Sequence, residues 1–236
     1  MSGAEAGGAP GQVRETVRAM FDRLAPRYDL TNTVLSFGCD RSWRRAAVRV
    51  LSPRPGGRYL DVACGTGALS EQILVHEPRA EVVGLDLSLG MLRRLAVRGE
   101  VRVLAADALA LPFGDATFDG ATVAFGVRNF ADPVAGLREI ARVCTAGAPL
   151  VVLEFGQPRI AGFSALYRLY SRRVLPVVGG WLTGDREAYR YLDRTASAFP
   201  CGERFLALAG EAGLAGEGQS LLGGAVWIYR LHAAGS

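Results

Sequence analysis

Lysine is missing altogether from the 236 residues, so every permanent side-chain cation is one of 27 arginines. Schiff-base chemistry through a lysine amine is therefore excluded. Histidine is nearly missing too. His76 and His232 have no second ligand near them in sequence, and Cys39, Cys64, Cys144 and Cys201 form no C-x-x-C pair. That spacing suggests neither zinc nor a disulfide framework; it reads as four reduced thiols with no metal expected. No apolar run approaches the ~18–20 residues of a membrane span. The N-terminus lacks the basic stretch followed by an apolar one that marks a secretory signal, which reads as a cytoplasmic protein.

Half the residues are hydrophobic and 21% are charged, ordinary values for a soluble globular chain. The length suits one α/β domain with a full core. The formal net charge is +4, but residues 1–58 hold ten arginines against five acids. No basic run with interleaved aromatics and no nucleic-acid-binding module accompanies them, so a solvated basic face is expected and no nucleic acid.

The most informative stretch runs from Arg58 to Ser70. An apolar run suited to a buried strand over 59–63 ends in a small-residue loop that opens a helix over 68–75. Gly65 and Gly67 accept φ > 0 and let a ligand approach the backbone, and the free N–H groups of the new helix face the same loop. Asp61 stands four residues before Gly65. A second strand over 81–85 ends in Asp86, 21 residues after Gly65, the distance at which a strand-end carboxylate reaches ribose hydroxyls in a βαβ nucleoside site. The dinucleotide fingerprint wants a third glycine where this chain has Ser70. That counts against NAD, and the Asp61-Val-Ala-Cys-Gly-Thr-Gly67 order resembles the first motif of Rossmann-type methyltransferases, which use S-adenosylmethionine (SAM).

Taken in order, residues 1–12 form a Gly- and Ala-rich leader expected to be disordered. An amphipathic helix from Val13 to a stop at Pro26, a polar loop over 27–32 and a helix over 40–51 make an N-terminal helical cap, 13–57. Further strands are expected over 101–105, 118–124 and 150–155, with helices over 89–98 and 133–143, the last capped by Asp132 with Pro133 at its first position. Residues 156–200 interrupt the alternation. They hold a helical face of Phe163, Leu166, Tyr167, Tyr170 and Val174, then an apolar loop over 176–182, and are expected to cover the ligand crevice. A helix over 201–212 and a hairpin of strands near 218–222 and 225–231 close the chain. The fold class is α/β: a mostly parallel, doubly wound, Rossmann-like sheet with an antiparallel C-terminal hairpin, one domain over 13–236.

Ligands in such sheets lie beyond the C-terminal strand ends. Asp107, after the third strand, is placed to accept from an adenine amino group, with the Ala108 N–H donating to a ring nitrogen; a solvent-exposed turn is the alternative. After the fourth strand, Arg128 and Asn129 supply a permanent cation and an amide where a transferred methyl should sit. By position alone a surface arginine capping the strand serves equally.

The chain resembles the ubiquinone/menaquinone biosynthesis C-methyltransferases from Val13 onward. The likeness is carried by Phe21-Asp-Arg-Leu-Ala-Pro-Arg-Tyr-Asp-Leu-Thr-Asn32, Leu35-Ser-Phe-Gly38 with Trp43-Arg44, the Asp61–Gly67 loop, Phe125-Gly-Val-Arg-Asn129, and shorter matches at Val174-Leu-Pro176, Tyr189-Arg-Tyr-Leu192 and Gly223-Gly224. It departs from the family at Ala124, often Ser, and at Leu222, often Thr. The resemblance implies a class I SAM-dependent fold, with Thr66, Asp86, Asp107 and Ala108 on SAM beside Asp61, Gly65 and Gly67. It implies Tyr28, Arg128 and Asn129 facing a prenylated quinol. The implied reaction is methylation of a ring carbon beside a phenolic hydroxyl. An insoluble prenyl tail implies peripheral contact with a membrane, and a homodimer stays open. Two rivals are a NAD(P)-dependent oxidoreductase on the same fold and a non-catalytic SAM-binding scaffold.

Overall fold

A sheet covered by helices on both faces needs strands that are apolar on both sides. Leu60, Val62, Val123 and residues 151–153 meet that need, each at most 1% exposed. In the computed structural model, which describes residues 10–97, 99, 101–158, 160 and 162–234, these runs form the middle of a seven-stranded sheet. The strands are β1 (Arg58–Val62), β2 (Glu81–Asp86), β3 (Arg102–Ala105), β4 (Gly120–Ala124), β5 (Leu150–Phe155), β6 (Leu214–Leu221) and β7 (Val226–Ala233), in spatial order β3-β2-β1-β4-β5-β7-β6. Neighbours are parallel from β3 to β5; β7 runs antiparallel to β5 and β6. The expected mostly parallel, doubly wound sheet with its C-terminal hairpin is present. Chain order reverses between β1 and β4, so the loops leaving their C-terminal ends part there and open a crevice.

The helices are α1 (Pro10–Leu24), α2 (Tyr28–Leu35), α3 (Cys39–Leu51), α4 (Ala68–His76), α5 (Leu89–Ala96), α6 (Pro133–Val143), α7 (Phe163–Leu169), α8 (Leu175–Thr183), α9 (Arg186–Ala198) and α10 (Glu203–Glu211). Local chemistry fixes several starts. The Ser88, Asp132 and Asp185 side chains accept from the N–H groups of Met91, Ala135 and Ala188, capping α5, α6 and α9, and Pro133 follows its cap as expected.

Three expectations need correction. Helix α1 already includes Pro10, so part of the supposed leader is helical; residues 1–9 lie outside the described residues. The polar loop expected over 27–32 is a 3-10 turn (Ala25–Arg27) followed by α2. Pro26 ends one helix but also suits the first positions of the next turn. Leu30 and Val34 face outward on α2, so no buried stripe marks it in sequence. The apolar loop expected over 176–182 is α8, where Gly179 and Gly180 admit neighbours: a Cβ on Gly179 would lie 2.6 Å from the Tyr189 ring. Between α7 and α8, residues Tyr170–Val174 make a π-helical turn, with the Leu175 N–H reaching back to the Tyr170 carbonyl. Pro176 explains it: its ring cannot pack against a regular preceding turn, and widening the helix relieves the clash.

Helix α1 is tied to the rest by a small cluster of Met20, Leu24, Ala188 and Tyr189, and by Arg23, whose Nη2 lies 3.0 Å from Asp185 Oδ2.

Candidate active site

Strand β1 ends at Val62, and the next residue, Ala63, has φ 53°; Phe125, directly after β4, has φ 57°. Left-handed backbone costs a non-glycine residue roughly 1–3 kcal/mol and persists where the surroundings enforce it. Here the two strand-end loops meet: a Cβ on Gly126 would stand 2.7 Å from the Ala63 Cβ. This approach accounts for the glycine in Phe125-Gly-Val-Arg-Asn129 and for the small residue at 63.

Two cavities adjoin this crossing. The sheet-side cavity, about 800 Å³ with its mouth included, lies over the ends of β1, β2 and β4 beneath α1. Gly65, Asp86, Asp107 and Ala108 line it, and Phe21 and Met91 supply apolar wall. Gly65 (φ 57°) presents its backbone directly, since a Cβ there would have only Tyr28 Cε1 near, at 4.0 Å. The Gly65 N–H donates to Asp86 Oδ2 at 2.9 Å, and the Ser88 N–H to Asp86 Oδ1 at 2.8 Å. Burial raises the Asp86 pKa, with the N–H groups of Ser88, Gly65 and Leu87 opposing it.

Asp61, Thr66 and Gly67 do not line the cavity; they build the loop under it. Asp61 is fully buried, and its carboxylate accepts from Ser70 Oγ at 2.6 Å and Thr122 Oγ1 at 2.8 Å. Ser70, where a dinucleotide site has its third glycine, thus holds the loop to the strand. Desolvation pushes the Asp61 pKa up to about 6, against the two hydroxyl bonds that lower it. Gly67 (φ 86°) opens α4, and a Cβ there would lie 2.2 Å from Leu95 Cδ1. Thr66 Oγ1 donates to Asp29 of α2.

The cap-side cavity, about 1010 Å³ with its mouth included, lies under α2, α3 and α7–α9 and is lined by aromatic rings, among them Trp43, Phe155, Tyr167 and Tyr170. Tyr28 and Phe125 line both cavities and so stand between them. Burial raises the pKa of Tyr28 and pushes that of Tyr167 up to about 12. Two buried ion pairs border this space. Arg44 pairs with Asp40, each 7% exposed, and its guanidinium lies 5.8 Å from the Phe125 ring centroid. Arg128 pairs with Glu154 at 2.5 Å, donates to the Phe125 carbonyl at 2.7 Å and lies over the Phe155 ring. Arg128 Nε and Glu154 Oε2 are buried without hydrogen-bond partners among the described residues.

Arg128 is therefore not the surface cap that position alone allowed; its side chain is 3% exposed. Asn129, expected on the same side, lines the sheet-side cavity instead, because the 3-10 turn Val127–Asn129 sends consecutive side chains about 120° apart. Its Oδ1 accepts from the Tyr191 hydroxyl at 3.3 Å.

Four polar residues went unread in the sequence. Asp22 Oδ1 accepts from Ser88 Oγ and the Gly90 N–H, at 2.6 and 2.8 Å; Asp29 accepts from Thr66; Arg14 reaches Asp107 at 3.0 Å; and Glu154 holds Arg128. Together the first three fasten α1 and α2 over the sheet-side cavity. Only the Phe21–Asn32 motif, which holds Asp22 and Asp29, hints at this.

The chain is 46% identical over 226 residues to the ubiquinone/menaquinone biosynthesis C-methyltransferase UbiE of Syntrophotalea carbinolica, covering 93% of this chain and 94% of that one. It is 49% identical over 199 residues to the demethylmenaquinone methyltransferase of Thermus thermophilus, covering 82% and 90%. Among solved structures, a SAM-dependent methyltransferase of Thermotoga maritima superposes with a TM-score of 0.65 at 21% identity, over 92% of this chain and 99% of that one, a likeness of fold. A sequence profile of the ubiE/COQ5 methyltransferases matches residues 11–233, nearly the whole chain, and the chain belongs to that family.

Proposed function

We propose that this chain methylates a ring carbon of a prenylated hydroquinone, either demethylmenaquinol to menaquinol or the ubiquinone-pathway benzoquinol, with SAM as donor. The observation that carries the reading is the pair of adjoining cavities, one bringing Asp86 and Asp107 to a nucleoside-type strand crossing and one lined by aromatic rings and Arg128, meeting at Tyr28 and Phe125.

The sheet-side residues fit SAM. Asp86 can accept from ribose hydroxyls, Asp107 and the Ala108 N–H can meet an adenine edge, and the exposed backbone of Gly65 leaves room that any side chain would fill. When bound, SAM supplies an electrophilic methyl group. The rest falls to the chain. A phenol ring carbon becomes nucleophilic as the neighbouring hydroxyl loses its proton, and once methylated it loses its own proton to restore the aromatic ring; the negative charge on the phenolate needs a fixed positive partner in a dry site. Arg128, which lines the cap-side cavity, supplies it: Glu154 and the Phe125 carbonyl fix its Nη1 and so hold the guanidinium beside that space. Tyr28, at the junction, positions the ring, and burial keeps its own hydroxyl protonated. Asn129, turned to the donor side, steadies that wall through Tyr191. Alignment of the two cavities supplies proximity.

The test is turnover by purified protein given SAM and a short-tailed demethylmenaquinol. The expected product is heavier by one carbon-bound methyl group, and NADH neither binds nor is oxidised. A methyl found only on oxygen, or turnover of unprenylated phenols alone, would replace this reading with another phenolic substrate.

A further inference from the structure

Large apolar side chains that stay exposed are concentrated on one part of this molecule. Of the fourteen exposed large hydrophobics among the described residues, nine belong to residues 30–37 and 160–181. Trp181 is 82% exposed and Phe37 81%, with Leu166, Leu169, Leu30 and Val177 between 48% and 64%. The elements carrying them adjoin. Helix α2 packs on α8, the Phe37 ring lies 5.8 Å from that of Tyr170, and the Arg27 guanidinium donates to the Leu182 carbonyl at 2.6 Å. Val174, Val177 and Trp181 follow one another at three- and four-residue spacing, so they share one outer face of the helix.

The charge on the α7–α8 part of this face has one sign. No acid falls between Glu154 and Asp185, a stretch that holds four arginines, of which Arg168, Arg172 and Arg173 are exposed. An apolar face edged by cations and carrying an exposed tryptophan matches the interfacial zone of an anionic bilayer. A second copy of the chain fits less well, because a two-fold contact would set the same arginines against each other. The inner side of the same segment supplies Tyr167, Tyr170, Ser171 and Leu175 to the cap-side cavity.

We infer that the outer face of α2 and α7–α8 docks on an anionic lipid surface, with Trp181, Phe37, Leu166 and Leu169 entering the headgroup boundary and Arg168, Arg172 and Arg173 meeting lipid phosphates. The cap-side cavity then sits one helix away from the bilayer, where a prenylated substrate is dissolved. This extends the quinol reading, but vesicle binding needs neither quinol nor SAM, so each can fail separately.

The test is co-sedimentation of the full chain with vesicles of phosphatidylcholine alone or mixed with phosphatidylglycerol, at low and high salt. Binding to the anionic vesicles at low salt is expected to exceed that to the neutral ones by more than tenfold. It should fall about 10² in Arg168→Gln/Arg172→Gln/Arg173→Gln, at about fivefold for each cation near the surface. Trp181→Ser should also reduce it. Both variants should keep their melting temperature, SAM affinity and turnover of a short-tailed, micelle-free quinol, and lose turnover of a long-tailed quinol held in vesicles. Absence of binding to anionic vesicles at low salt would overturn the inference. So would a dimer in sedimentation equilibrium that Trp181→Ser dissociates while vesicle binding stays unchanged.

Discussion

The two cavities that meet at Tyr28 and Phe125 are built by different means. The sheet-side cavity takes its floor from backbone: parallel strands in fixed register, the left-handed residues Ala63, Gly65 and Phe125, and a buried carboxylate that pins the loop through Ser70 and Thr122. The cap-side cavity meets the sheet only at Phe125, Phe155 and the start of β7. Side chains of α2, α3 and α7–α9 wall it, two buried ion pairs supply its charge, and a π-helical turn widens its α7–α8 edge. A site made of backbone holds one ligand that does not vary. A site made of side chains can change substrate by substitution while the donor site stays intact. The comparison therefore predicts that damage on either side is felt separately.

The largest separation is expected at Arg128. Arg128→Ala should lower kcat on the order of 10²–10³ while SAM affinity stays near normal, because the charge it answers develops on the way to the transition state. It should also destabilise the fold by about 3–5 kcal/mol, since Glu154 is left buried without its cation. Arg128→Met with Glu154→Gln separates the two effects. Thermal stability should recover and single-turnover methylation should not; recovery of both would make the pair merely structural.

On the sheet side, Asp61 ties stability to pH. Its folded pKa of about 6 lies above the ordinary 3.8, so the folded chain keeps a proton that the unfolded chain releases. The stability associated with this proton is fully present below about pH 4 and is lost as pH rises through about 6, a change on the order of 3 kcal/mol. Urea unfolding across that window should show the slope in the parent chain. Asp61→Asn should flatten it, and an unchanged slope would assign it to another group.

A smaller effect is expected at Asp86. Asp86→Ala should weaken SAM binding by about 1.5–3 kcal/mol, the scale of hydrogen bonds to a charged group. Calorimetry should show this with the KM for quinol little changed. Smallest is Tyr170→Phe, which removes the 2.5 Å hydrogen bond to the Leu35 carbonyl at the cap-side wall. We expect about 0.5–1.5 kcal/mol of stability lost, a raised KM for quinol and unaltered SAM affinity; a shift in SAM affinity would blur the two sides.

The same contrast decides what was legible in the sequence. The parallel sheet with its C-terminal hairpin, the Gly65–Gly67 loop and Asp86 could be read because strand–loop–helix signals are local, and the spacing from Gly65 to Asp86 is set by a single βαβ unit. The cap was harder. Helix α2 turns its apolar residues outward, and α8 holds two glycines that normally argue against a helix. Glu154 sits at the end of a buried strand, where it reads as one polar residue among apolar ones, and only the fold brings it to Arg128 across 26 residues. Asp61 reads as a cofactor residue because it precedes the loop; its bonds to Ser70 and Thr122 place it under the loop instead. Asn129 shows the limit of adjacency, since one step along a 3-10 turn moves a side chain from one cavity to the other.

The claim that one cavity holds the donor and the other the quinol is tested most directly by filling the second. Ala196 of α9 lines the cap-side cavity alone. In Ala196→Trp, calorimetric SAM affinity should stay within about twofold of the parent, well under the tenfold that corresponds to about 1.4 kcal/mol. Single-turnover methylation of a short-tailed quinol should be lost. A folded variant that still methylates, or one that loses SAM binding together with methylation, would contradict the division.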